Sequence, residues 1–148
     1  MKAQEWLDRG NKTNDPMDAF SNYYRGLNNL FSLIENGVER DKINQLIQDK
    51  ISEENAAKIL SEHTENATFL ISEPVIDMRG NGRNTIEHIN NFRNATTDLD
   101  KLKSIFMIIY QIRCNFEHGQ KSPNRSRDIT LCQNSLPFLS SVITYCLQ

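Results

Sequence analysis

The stretch from Thr97 to Phe116 constrains the fold most. Leu99, Leu102, Phe106, Ile109 and Phe116 follow the three-four rhythm of one helix face, and Arg113 stands where a further apolar side chain would continue it. At about 100° per residue, Arg113 lies only about 40° around the helix from Ile109. A guanidinium in an apolar stripe must be paired, or must face a cleft or a partner chain, because desolvating it alone is costly. Thr97 is the expected cap of this helix, with Asp100 completing a partial capping box. Gly119 and Pro123 are its expected stop.

The same periodicity recurs along the chain. Asp15-Pro16 is a helix start, with a side-chain acceptor at the cap and a proline where its missing N–H costs nothing. Met17, Phe20, Tyr24, Leu27, Phe31 and Ile34 then mark an amphipathic helix ending near Asn36-Gly37, with Tyr23, Asn28 and Asn29 on its surface. A second helix is expected from Asp41 through Ile43, Leu46, Ile47 and Ile51, bending or restarting at Ser52 and continuing through Ala56, Ala57, Ile59 and Leu60. Pro74 breaks the segment from Phe69 to Ile76, which reads as an extended connection. Met78 to Asn84, with two glycines and two asparagines, reads as a loop. Thr85 opens a short helix carrying Ile86, Ile89 and Phe92. A final helix from about Asp128 carries Leu131, Phe138, Leu139, Val142 and Tyr145, with Pro137 expected to kink it or split it in two. The expected fold is all-α, a bundle of five or six helices in a single domain spanning residues 1–148.

Composition closes off several classes. A chain of 148 residues can bury a sizeable core without disulfides or metal, and no apolar run approaches the roughly 20 residues needed to cross a bilayer. No membrane association is expected, and Met1 to Trp6 lack the apolar centre of a signal peptide, so the expected location is the cytoplasm. Cys114, Cys132 and Cys146 are odd in number without C-x-x-C spacing, which argues for reduced thiols. His63, His88 and His118 are scattered, so neither a metal site nor a cofactor is expected. The net charge of -2 conceals a local asymmetry, because Gly119 to Arg127 hold Lys121, Arg125 and Arg127 without an acid.

Nucleotide-binding and hydrolase signatures are absent, including Walker A, G-x-G-x-x-G, G-x-S-x-G and H-E-x-x-H. What remains is Arg113 followed by His118. Histidine titrates near neutral pH, so it can take a proton from a ribose 2′-OH or return one to a leaving 5′-oxygen. Arginine stays cationic and presents a fork matched to phosphate oxygens. On spacing alone a structural role is favoured: Arg113 can pair with Glu117 one turn later, and His118 can satisfy the last carbonyls of the helix.

The run Ile112-Arg113-Cys114-Asn115-Phe116-Glu117-His118-Gly119-Gln120-Lys121-Ser122-Pro123 resembles the I-R-x-N-L-x-H-G-x-K-S-P form found in bacterial HEPN (higher eukaryotes and prokaryotes nucleotide-binding) proteins. Trp6, Asp15-Pro16 and the helix from Phe20 to Phe31 are similar to the opening of such proteins, and Pro74 to Asp77 and the last helix are compatible with their later parts. The resemblance implies a helical bundle, a homodimer in which two Arg/His motifs face each other across a cleft, and metal-independent endoribonuclease activity of a toxin or antiviral-defence type. It further implies RNA as partner, with a cognate antitoxin or separate sensor protein as a further one. Arg113 then matches the signature arginine and His118 the proton-transfer residue, with Asn115 as a helper orienting phosphate or ribose. Many members place Asn, Asp or His directly after the arginine, whereas this chain has Cys114 there and Asn115 one place later. Cys114 is expected to pack rather than act as a nucleophile. Lys121, Arg125 and Arg127 are the expected contacts to the RNA backbone. The competing function is a non-catalytic helical module binding RNA, nucleotide or a partner protein.

Overall fold

The computed structural model describes residues 2–117 and 125–148. It is all-α, with eight helices among the described residues: α1 (Lys2–Lys12), α2 (Pro16–Phe31), α3 (Glu39–Lys50), α4 (Glu53–Glu62), α5 (Thr64–Ser72), α6 (Ile86–Asn94), α7 (Asp98–Glu117) and α8 (Ser126–Cys146). The count exceeds five or six because α1 and α5 join the helices that periodicity marks. α1 carries few apolar residues but seats Ala3 and Leu7 in the core. α5 runs through Phe69 and Ile71, so the extended reading there holds only from Glu73.

Local chemistry accounts for the element boundaries. The Asp15 carboxylate accepts from the Asp18 N–H at 3.0 Å, with Pro16 in the first turn of α2. Ser52 restarts the chain as α4 by accepting from the Asn55 N–H at 3.1 Å, and the Thr97 hydroxyl accepts from the Asp100 N–H at 3.2 Å. α2 stops at Phe31, short of Gly37, whose φ of 105° serves the turn into α3. α8 is one uninterrupted helix across Pro137. Proline removes a single hydrogen bond there, and the buried face of Leu131, Ser135, Phe138, Leu139 and Val142 carries the helix through.

One contiguous cluster of apolar side chains forms the core, with Phe20, Phe106 and Phe138 its largest fully buried members. α2 packs on α1 and α8, and α7 meets α3, α4 and α6. Tyr23 belongs to this interior rather than the surface: its ring lies against Gly10 of α1, where an added Cβ would stand 2.4 Å from the ring. Between α5 and α6, Asp77 organises the loop. Its carboxylate accepts from the Arg79 backbone and side chain and from Asn81, while Gly80 and Gly82 take left-handed φ values of 77°. No helix among the described residues is long and apolar enough to cross a membrane.

Candidate active site around Arg113

Arg113 sits in the last turn of α7, with Ile109 and Ile112 wholly buried beside it. Its own side chain is 26% exposed, so the stripe reaches the surface here rather than enclosing a charge. Three groups hold the guanidinium. Its Cζ lies 5.2 Å from the centroid of the Tyr24 ring, Nη1 stands 3.6 Å from Glu39 Oε2, and the same nitrogen donates to Glu117. Tyr24 donates its hydroxyl to Glu39 at 3.2 Å, joining α2, α3 and α7 at one point. Burial, reinforced by the Glu39 carboxylate, drives the Tyr24 phenol far above its ordinary range and keeps it a hydrogen-bond donor.

The two carboxylates are not equivalent. Glu117 is half exposed, and an ion pair of that kind is worth about 0–1 kcal/mol, so a phosphate can displace it. Glu39 is only 23% exposed and is fixed by Tyr24. Arg113 opens onto a hollow of about 340 Å³ whose other walls include Ser21, Arg25 and Asn28 of α2. An orienting contact on one side and a displaceable anion on the other suit a guanidinium that receives a phosphate.

The remaining expected residues separate from this point. His118 and Lys121 lie outside the described residues. Asn115 is 1% exposed: its Oδ1 accepts from the Met78 N–H and the Gln111 side chain, both at 3.1 Å, and its Nδ2 donates to the Ile76 carbonyl at 3.0 Å. These bonds give Asn115 a bracing role, tying α7 to the backbone of Ile76 and Met78 from within the protein. Arg127 donates to the Glu73 and Pro74 carbonyls and pairs with the Glu73 carboxylate at 3.0 Å, tying α8 to the end of α5. Arg125 is half exposed, 3.9 Å from the buried Asp128 carboxylate. Both arginines border a second hollow of about 430 Å³ on the Pro74 to Met78 segment, away from Tyr24 and Glu39.

Burial raises the pKa of the Cys114 thiol, against the lowering effect of a hydrogen bond with Tyr110, which leaves it unsuited to attack as a thiolate. The Tyr110 phenol is itself pushed up to about 12, chiefly by burial. Tyr24 was legible in the sequence only as an apolar stripe residue, and Glu39 carried no local signal at all. Arg25 did carry one: Ser21, Arg25 and Asn28 fall on one polar face of α2 at helical spacing. Among the described residues no three His, Cys, Asp or Glu side chains converge as a metal site would require.

The chain matches no family model, no curated protein and no solved structure.

Proposed function

We propose that this chain is a HEPN-type, metal-independent endoribonuclease that acts as a cytoplasmic homodimer in a toxin or antiviral role, under the control of an antitoxin or sensor protein. The observation that carries the reading is Arg113 itself, oriented by Tyr24 and Glu39 at the edge of a hollow and, among the described residues, capped by an exposed, displaceable Glu117. His118 follows it in the sequence. In the proposed reaction His118 takes the proton of a ribose 2′-OH, and the 2′-oxygen attacks phosphorus. The bond to the 5′-oxygen breaks and that oxygen receives a proton from the protonated imidazole of His118 or of its dimer mate. Arg113 neutralises charge gathering on the phosphoryl oxygens. The products are a 2′,3′-cyclic phosphate and a 5′-hydroxyl. Purified protein is expected to cleave single-stranded RNA in EDTA, with Arg113→Ala and His118→Ala both inactive at unchanged helical content. Equal cleavage, or none, by wild type and both variants defeats the proposal.

The second reading, a non-catalytic module for RNA, nucleotide or protein, is favoured by the same site seen differently. Glu39 and Glu117 together outnumber the charge of Arg113, as in a structural ion pair. It predicts that Arg113→Ala lowers stability while His118→Ala changes neither stability nor any RNA end.

A further inference from the structure

The outer face of α2 carries a second hollow, of about 330 Å³, between the end of α1 and the start of α2. Ser21 and Arg25 line both this hollow and the one at Arg113, so the two adjoin in one run along α2. Arg9 stands at its far end, Arg25 in the middle and Arg113 at the near end. We propose that this run is the track along which a single RNA strand reaches Arg113, with Arg9 and Arg25 as its phosphate contacts. The proposal rests on the ribonuclease reading for the purpose of the track, and it moves the backbone contacts from the segment 121–127 to α1 and α2.

The two arginines are held in advance. Their Cζ atoms lie 6.0 Å and 5.1 Å from the Trp6 ring centroid for Arg9 and Arg25 respectively. Stacking on an aromatic face fixes a guanidinium while leaving its in-plane N–H groups free to donate to phosphate oxygens. Trp6 is kept in place by a close approach of helices, since a Cβ on Gly26 would stand 3.3 Å from both the Trp6 Cβ and the Ala3 carbonyl oxygen. Arg25 also donates to Asn22 at 3.4 Å, and Asn22, nearly buried, donates to Thr13 at 3.2 Å. Among the described residues no carboxylate lies within 4 Å of Arg9 or Arg25, which they share with Arg40, Arg83 and Arg93 and which separates them from Arg79, Arg113, Arg125 and Arg127. Asp18 lines the far hollow and Glu117 the near one, so the three arginines share the run with two carboxylates, neither of them within 4 Å of Arg9 or Arg25. Three guanidinium groups along one run match the phosphates of a polyanion, and the ribonuclease reading makes that polyanion an RNA strand.

The test is fluorescence anisotropy with a short, uncleavable 2′-O-methyl RNA strand across a salt series, run beside the EDTA cleavage assay. The double variant Arg9→Gln/Arg25→Gln is expected to bind about tenfold more weakly and to lower the slope of log affinity against log salt by about 1.4, the loss of two single-strand phosphate contacts. Arg9→Lys/Arg25→Lys is expected to keep most of the affinity, and thermal melting establishes that both variants are folded. Unchanged affinity and slope in the folded glutamine variant overturn the track, and a wild type that cleaves RNA all the same leaves the ribonuclease reading standing. Binding through Arg9 and Arg25 without cleavage upholds the track and removes the enzyme. A wild type that does not bind the strand overturns the track whatever the cleavage assay reports.

Discussion

The guanidinium of Arg113 lies over the ring of Tyr24, 5.2 Å from its centroid, while the Tyr24 hydroxyl reaches the carboxylate that pairs with the same arginine. One side chain therefore orients Arg113 twice, through its π face and through Glu39. Tyr24→Phe keeps the ring and removes the second connection. It is expected to cost about 1 kcal/mol in urea unfolding and, by freeing Glu39, to change cleavage far less than Arg113→Lys. Lysine keeps the charge but loses the planar fork that meets two phosphate oxygens, so Arg113→Lys should remain folded and lose most of the activity.

Asn115 supplies the sharpest separation between bracing and catalysis. Its carboxamide links α7 to the backbone of Ile76 and Met78 from within the protein. Asn115→Ala leaves the Met78 N–H and the Ile76 carbonyl without these partners and is expected to cost about 2–3 kcal/mol. Hydrogen exchange should show faster exchange of the Met78 amide in the variant. A catalytic helper would behave oppositely, with activity lost and Met78 exchange unchanged.

How much of this was legible in the sequence follows from the range of each interaction. The start of α2 and the cap of α7 could be read because Asp15 and Thr97 bond to backbone groups three residues away. α5 is hidden in the sequence by Pro74, which marks extended chain nearby although proline restrains directly only the residue before it, and α5 stops at Ser72. The burial of Tyr23 leaves no mark on its own helix because it depends on Gly10, in a helix whose short apolar pattern gives little periodic signal. The partners of Arg113 were half visible: Glu117 follows by helical spacing, whereas Glu39 arrives from α3 and leaves no trace in the local pattern. Arg127 looked like a free cation because nothing in sequence announces that the Glu73 and Pro74 carbonyls lie beside it.

The loop between α5 and α6 should be acid-sensitive through Asp77. Hydrogen bonds from the Arg79 side chain hold its carboxyl well below the usual carboxylate range, outweighing the opposing effect of burial, with the Arg79 N–H and Asn81 adding to the lowering. A depressed folded-state pKa means that the stabilisation is complete above the unfolded value, about 3.9. It is lost as pH falls below that value toward the lower folded one. Hydrogen exchange of the 77–83 amides should therefore show opening of the loop below about pH 4 and little change above it. In Asp77→Asn this acid step should disappear, the loop being loosened at every pH.

Gly10 offers a test in which two known effects have opposite signs. Alanine is favoured over glycine in an exposed helix by about 1 kcal/mol, so Gly10→Ala would stabilise α1 were the position free. It is not: the new Cβ would lie 2.4 Å from Cδ1 and Cε1 of Tyr23. The ring cannot easily withdraw, because Tyr23 is buried and its hydroxyl donates to Asn11 of the same helix at 2.7 Å. Moving the ring breaks that bond, and moving α1 opens the contact with α2. Overpacking of this kind costs about 1–3 kcal/mol, which exceeds the propensity gain, so Gly10→Ala should lower the midpoint of urea unfolding. In the background of Tyr23→Ala, with the ring gone, the same substitution should become neutral or stabilising. A double-mutant cycle measures that reversal as a coupling energy. Independent, additive effects of the two changes would mean that α1 does not pack on Tyr23 through Gly10.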